Sequence, residues 1–430
     1  MSAAVLMLAA LASGQGKTTS CAALALHARA QGQRVALFKV GTDFIDPMIL
    51  QQAAGVEVGM LDLWVMGAAA CRAALAQAAA SHDLVLIEAV MGLYDGQPSA
   101  ADLARALDLP VLLVIDCAAL AQTAGAIAHG LQSYGGLDVC GLLANRVGSA
   151  FHADLIGASL RNCLLAGWLP PQAQAMPERH LGLVTPQEQE DVRGLLQRAA
   201  DSLQLTPAWP ALLARAQRAW PDAPPAPPPA LLAGRTIAVA RDAASCFLYP
   251  QNLALLQAMG AQLRFFSPLA DQAPPPADAI WLPGGYPELH AAALSRAQHF
   301  MQGIRAAHQA GVAIWAECGG MMMLCDSLLD GAGQAHAMAG ILPAQVRVQS
   351  RIAGLGPQAW ASAQGELRGH VFHFSQIESA APAIAHCQTH PQQQTGAALY
   401  QAGSLRASWF HPWFASNPAA TAALFGVGHV

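Results

Sequence analysis

Two short stretches hold residue types whose spacing could do chemistry. The first is Ser13-Gly14-Gln15-Gly16-Lys17-Thr18-Thr19, which follows the apolar run AAVLMLAAL and opens the helical stretch KTTSCAALALHARAQG. A phosphate-holding loop needs that order of strand, glycine loop and helix. Gly14 and Gly16 let backbone N–H groups close on phosphate oxygens, and the helix N-terminus adds a favourable dipole. Lys17 would neutralise β/γ charge, and the Thr18 hydroxyl would ligate Mg²⁺. Gln15 and Thr19 complete the expected ATP-binding set. The standard pattern has a glycine five residues before Gly16; this chain has Leu11, so the loop is a variant.

The second stretch is GVAIWAECGGM, residues 311–321, which reads as a buried strand, a sharp turn and a helix. A thiol on such a turn, Cys318, is expected to be exposed and to have its thiolate favoured by the helix dipole. The N–H of Gly319 could then stabilise an oxyanion. PGGYPE, residues 283–288, offers a second N–H at Gly285. The best-placed base is His411 in SWFHPWF.

Carboxylates gather near the first stretch. Asp43 and Asp46 lie in FKVGTDFIDP, after a strand, and Glu88 ends the apolar strand in LVLIEAVMGLYDG. Open α/β sheets bind ligands at strand carboxyl ends, and a Mg²⁺-organising carboxylate of a phosphate-loop enzyme belongs where Glu88 stands. Asp46, Asp95 and Asp116 could equally cap helices or turns.

The elements that must position these groups follow from the rest of the chain. Its 430 residues exceed one ordinary core and indicate two or three domains. Short apolar runs alternate with helical stretches before residue 200, as in an α/β domain with a buried parallel sheet. RGLLQRAADSLQLTPAWPALLARAQRAW is helical by period and would close that domain. PDAPPAPPPALLAG, residues 221–234, reads as a semi-rigid polyproline linker. TIAVARD, AQLRFFSP, DAIWLPGG and VAIWAECGG then restart the alternation, and antiparallel strands follow Ile341. The expected divisions are 1–200 for nucleotide, 201–233 for helix and linker, and 234–430 for the thiol site.

Composition excludes several classes. A net charge of −5 gives no support for a nucleic-acid partner. No turn-free apolar run reaches the ~18–20 residues of a membrane span. A leader reading of the first 14 residues fails for want of any Lys or Arg before Lys17. Nine scattered cysteines without CxxC fit reduced thiols and a cytoplasmic setting. HCQTH, residues 386–390, reads as a solvated loop rather than a metal site.

Taken in order, SGQGKTT, FKVGTDFIDPMIL, LDLWVMG, IEAVMGLYDG and PERHLGLV, then LPGGYPELH, AECGGMMML, GHVFHFS and HPWFASNP, resemble the cobyrinate or hydrogenobyrinate a,c-diamide synthase family over nearly the whole chain. The resemblance implies an α/β fold of two domains. One is a phosphate-loop domain of the dethiobiotin-synthetase-like class with a mostly parallel sheet; the other is a flavodoxin-like class I glutamine amidotransferase domain. It implies ATP as substrate, Mg²⁺, glutamine and a corrinoid polycarboxylate, with no membrane partner, and leaves a homodimer open. It further implies that Cys318 attacks glutamine with His411 as base, that Gly285 and Gly319 hold the oxyanion, and that ATP activates the a and c acetates as acyl phosphates. Amidation of another tetrapyrrole polycarboxylate, or a non-catalytic nucleotide- or corrinoid-binding role, is the alternative. Thr42, Gln251, Val371 and Trp413 depart from the family pattern. With Trp413 in place of an acid, His411 lacks an evident orienting carboxylate, and a Cys-His dyad is expected.

Overall fold

A computed structural model describes residues 3–172, 186–220 and 227–427. They form two compact units, Met1–Pro225 and Ala226–Val430. The first runs β1 (Ala3–Ala10), α1 (Lys17–Ala30), β2 (Val35–Val40), α2 (Ile45–Ala54), β3 (Val58–Leu61), α3 (Ala68–Ser81), β4 (Leu84–Glu88), α4 (Ala100–Leu107), β5 (Val111–Asp116), α5 (Thr123–Gly135), β6 (Val139–Asn145), α6 (Ala150–Ser159), β7 (Leu164–Trp168), α7 (Pro186–Ser202), β8 (Gln204–Leu205), α8 (Trp209–Arg215) and β9 (Gln217–Arg218).

Its sheet has the order β3-β2-β4-β1-β5-β6-β7-β8, and β9 pairs with the start of β1. Strands β1 to β7 are parallel. Every residue of β1 is buried, which is why it reads as an unbroken apolar run rather than an alternating one. From β1 the chain crosses to β2 beyond β4, whereas β5 to β7 extend the other way. The loop after β1 therefore sits where strand order reverses, the place at which such sheets bind ligands.

Residues 193–220 do not form one helix. Two helices, α7 and α8, alternate with β8 and β9, which pair back antiparallel onto β7 and β1. Thr206-Pro207 and Pro210 interrupt the helical period, since proline lacks the N–H an interior turn requires. Residues 204–218 are thus part of the first unit's sheet and its flanking helix. PERHLGLV (177–184) and the first six residues of the proline-rich stretch lie outside the described residues.

The second unit comprises β10 (Thr236–Ala240), α9 (Pro250–Ala258), β11 (Gln262–Phe266), β12 (Ala279–Leu282), α10 (Ala291–Leu294), α11 (Gln298–Gln309), β13 (Ala313–Glu317), α12 (Gly319–Met322), β14 (Cys325–Leu329), β15 (Ala335–Ala337), β16 (Leu342–Val348), β17 (Gly354–Ser362), β18 (Gly365–His373), β19 (Ser375–Ser379), β20 (Ala383–Thr389), β21 (Thr395–Ala402), β22 (Leu405–Ser408), β23 (His411–Pro412) and α13 (Pro418–Leu424). One sheet runs β11-β10-β12-β13-β22-β21-β20-β17-β18-β23, and a second runs β15-β14-β16-β19. The former is parallel from β11 to β22 and antiparallel beyond. The four strands expected at its start are all present. HCQTH is not a loop: His386 lies in β20 and Cys387 is fully buried. No helix among the described residues is long and apolar enough to cross a membrane.

Candidate active sites

The first site grows from the turn between β1 and α1. Gly14 and Gly16 have φ of 78° and 90°, which side chains rarely tolerate. Gly16 is doubly constrained, because a Cβ there would run into the amide of Asn145. That amide donates to the carbonyl of Gln15 at 3.0 Å, and the Gln15 side-chain oxygen accepts from the Asp116 N–H at 3.0 Å. The carboxyl ends of β5 and β6 thus fix the loop. Asp116 also pairs with Arg146. Thr19 is buried in α1.

Lys17 Nζ donates to the carbonyls of Ala12, at 3.0 Å, and Met91, at 2.6 Å. Burial lowers its pKa. Thr18 Oγ1 donates to Glu88 Oε1 at 2.7 Å. The same carboxylate oxygen accepts from Lys39 Nζ at 3.0 Å, and Lys39 also donates to Asp46 Oδ2 at 2.7 Å. Lys39 and Glu88 are only 2% and 1% exposed. Burial alone would strip the Lys39 proton, but Glu88 and Asp46 hold the ammonium above its ordinary pKa. Burial pushes Glu88 up while Lys39 pulls it down. Asp43 Oδ1 accepts from the N–H groups of Ile45 and Asp46, and burial with the neighbouring Asp46 charge raises its carboxyl to about 7.

Glu88 Oε2 is buried and makes no hydrogen bond. Beside the Thr18 hydroxyl it fits a hard cation that takes oxygen ligands and keeps much of its water. No cluster of three or more His, Cys, Asp or Glu capable of holding a metal occurs among the described residues. A cation here would depend on phosphate and water for its other ligands.

The second site forms where β13 ends. Cys318 has φ 46°, a conformation most side chains avoid, and so lifts its thiol out of the alternation of the strand. Its N–H donates to the Ser408 carbonyl at 2.7 Å, continuing the β13–β22 pairing. A Cβ built on Gly284 would lie 2.5 Å from His411 Cε1 and 3.4 Å from Cys318 Cβ. Cys318 and the His411 imidazole therefore both border the space over Gly284, a position only glycine can fill. The N–H of Gly285 comes close to Gly319, since a Cβ on Gly319 would stand 3.0 Å from that nitrogen. His411 is stacked on His370 at 5.1 Å and meets Phe247 edge-on at 6.1 Å. Burial, with His411 nearby, keeps His370 neutral. Asn252 clamps the following segment: it donates to the Pro412 carbonyl at 2.9 Å and accepts from the Phe414 N–H at 3.0 Å.

Two expectations for this site are corrected. Cys318 is not exposed: only 5% of its surface is open, and burial pushes its thiol well up. The helix behind it, α12, is a single turn, too short for its dipole to outweigh that burial. Nor does His411 lack an acidic neighbour. Glu317 Oε2 lies 3.2 Å from His411 Nδ1, and Glu317 Oε1 accepts from the indoles of Trp281 at 2.8 Å and Trp315 at 2.7 Å. Burial raises the Glu317 carboxyl, with His411 and both indoles drawing it back. Trp413, two residues beyond His411, is buried edge-on against Tyr249.

The structure thus groups Lys17, Thr18, Asp46 and Glu88, sets Asp43 beside them, and brings Cys318, His411, Gly285 and Gly319 together. Sequence reasoning missed Lys39, Asn145, Asn252 and Glu317. Lys39 and Glu317 did carry a signal, for each is a lone charge in an otherwise apolar strand, VALFKV and AIWAE.

Comparison with known proteins agrees with this division. Residues 6–178 match the CobQ/CobB/MinD/ParA nucleotide binding domain, and residues 236–419 match the CobB/CobQ-like glutamine amidotransferase domain. The chain is 49% identical over 426 residues to a cobyrinate a,c-diamide synthase of Herminiimonas arsenicoxydans, covering 99% of this chain and 97% of that protein. It is 49% identical over 432 residues to a hydrogenobyrinate a,c-diamide synthase of Stutzerimonas stutzeri, covering 97% of each. A Pseudomonas aeruginosa hydrogenobyrinate a,c-diamide synthase is 48% identical over 433 residues, covering 97% of this chain and 96% of that protein.

Proposed function

The chain belongs to the cobyrinate/hydrogenobyrinate a,c-diamide synthase family, and from that premise we propose how its two sites divide one reaction. It is a carbon–nitrogen ligase of cobalamin biosynthesis that amidates the a and c acetate carboxylates of cobyrinate or hydrogenobyrinate, with glutamine as nitrogen donor. The observation that carries the proposal is the presence in one chain of a Lys–Thr–carboxylate centre on a phosphate loop and a buried Cys–His pair.

In the second unit, the Cys318 sulfur attacks the side-chain amide carbon of glutamine as its proton passes to His411. The N–H groups of Gly285 and Gly319 receive the oxyanion. His411 returns the proton to the departing nitrogen, the C–N bond breaks, and ammonia leaves a glutamyl thioester that water hydrolyses. Because burial keeps the thiol protonated at rest, deprotonation and attack are coupled.

A carboxylate is a poor electrophile with a poor leaving group. In the first unit, transfer of the ATP γ-phosphoryl group to the substrate carboxylate gives ADP and an acyl phosphate, which ammonia converts to amide and phosphate. Gly14, Gln15 and Gly16 cradle the phosphates, and Lys17 moves from its two carbonyl partners to phosphate oxygens. Thr18 and Glu88 would hold Mg²⁺, which would supply positive charge against the phosphates. Lys39, anchored by Glu88 and Asp46, places a fixed positive charge at the same strand ends, and Asp43 borders the substrate side. Nine free thiols fit a reducing compartment, and we place the enzyme in the cytoplasm.

The test is amidation of cobyrinate and hydrogenobyrinate by the full chain with ATP and either glutamine or ammonia, read by mass spectrometry. Two successive acid-to-amide conversions are expected on at least one substrate. Cys318→Ser should keep the ammonia-dependent reaction alone, and Lys17→Ala should lose both. No amide on either substrate overturns the reading.

A further inference from the structure

Glu317 occupies an unusual place for a residue that meets the catalytic imidazole, because it precedes the nucleophile in the chain. Strand geometry explains how it gets there. Side chains alternate along β13, so Trp315 and Glu317 share one face. Trp281 of β12 is in register with Trp315 and joins that face. The two indoles therefore converge on one carboxylate oxygen and leave the other pointing toward His411, which follows the end of β22 by three residues.

Burying a carboxylate is costly unless hydrogen bonds replace its water. Glu317 is 2% exposed, with two indole donors on one oxygen and the His411 imidazole beside the other. Two tryptophan N–H groups on one oxygen favour the ionised form, because an indole donates and never accepts. Structural anchoring of the tryptophans accounts for Oε1 but not for Oε2, whose partner is the histidine that shares with Cys318 the space over Gly284. Position 413, two residues beyond His411, holds no acid to do this work.

We propose that Glu317 is the positioning residue of the thiol site: its Oε2 accepts from His411 Nδ1–H and so makes Nε2 the nitrogen that takes the Cys318 proton. The orienting acid has thus moved from the histidine segment to the nucleophile's own strand. His370 and Phe247 fix the ring plane, and Glu317 fixes its tautomer. This rests on the reading of Cys318 and His411 as the glutaminase pair.

Glu317→Gln is the informative variant. It keeps an oxygen for both indoles but presents an amide N–H₂ to Nδ1, which reverses the histidine tautomer. We expect glutamine-dependent turnover to fall by about 10²–10⁴-fold, in line with the loss of an orienting carboxylate elsewhere. KM for glutamine and the ammonia-dependent rate should each stay within about threefold, since binding and the first unit are untouched. Glu317→Asp should recover part of the loss. In the parent protein, ¹⁵N-histidine NMR should show His411 protonated on Nδ1 with Nε2 bare, which tests the proposal even if the Gln variant fails to fold. An Nε2–H tautomer, undiminished glutaminase in Glu317→Gln, or parallel loss of glutamine- and ammonia-dependent activity would overturn it. Glutaminase surviving Cys318→Ser would instead overturn the underlying reading of the site.

Discussion

Lys39 and Glu88 stand side by side at the carboxyl ends of β2 and β4, in register, and form a 3.0 Å ion pair with both side chains withdrawn from solvent. Thr18 reaches the same carboxylate oxygen from the start of α1. The phosphate loop and the charged end of the sheet are thereby one assembly.

Removing one partner of such a pair strands the other charge in the interior. Lys39→Met should destabilise the fold by about 3–5 kcal/mol, whereas Lys39→Met combined with Glu88→Gln should recover much of that loss. Denaturant unfolding of the parent and the variants measures both. A single variant as stable as the parent would show that Lys39 and Glu88 do not depend on each other.

Gly16→Ala should weaken ATP binding by at least about tenfold, because alanine at positive φ is strained and its Cβ displaces the Asn145 amide that holds Gln15. Removing the obstruction with Asn145→Gly should not restore affinity, since the tie to Gln15 is then lost as well. Calorimetric titration with ATP distinguishes these outcomes, and unchanged affinity in Gly16→Ala contradicts the geometry.

Glu288 follows the PGGY turn, and burial raises its carboxyl from an ordinary 4.5 to about 7. The folded state therefore holds that proton more tightly than the unfolded chain does. Glu288 lowers stability progressively as pH rises from about 4.5 to about 7, and the full penalty persists above that. Glu288→Gln should be more stable than the parent at pH 8 by roughly 1–3 kcal/mol, with little difference at pH 4.5. Thermal midpoints at the two pH values test this; a gain that is the same at both would show that Glu288 ionises normally.

Much of this architecture was legible because parallel strands buried on both faces leave continuous apolar runs, as in AAVLMLAAL and VLLVID. Loop and thiol stood out because glycine, lysine and cysteine at strand-to-helix turns have few other uses. The short pairings of β8 and β9 were not legible, for two residues carry no period and their partners lie far along the chain. Glu317 is not legible as a partner of His411, because the two lie far apart in the chain and sheet register brings them together. Exposure of Cys318 was misjudged for a similar reason: the turn is local, but the segments that bury it, around Gly284 and His411, are not.

In the mechanism we propose, the phosphate-loop unit activates the substrate carboxylate as an acyl phosphate for ammonia made at the thiol. The most direct measurement uses cobyrinate or hydrogenobyrinate carrying ¹⁸O in its carboxylates, with ATP and glutamine, and follows the label. Each amide formed should be matched by one ¹⁸O atom in inorganic phosphate and one ADP. Unlabelled phosphate accompanying amide formation, or AMP and pyrophosphate in place of ADP, would contradict it.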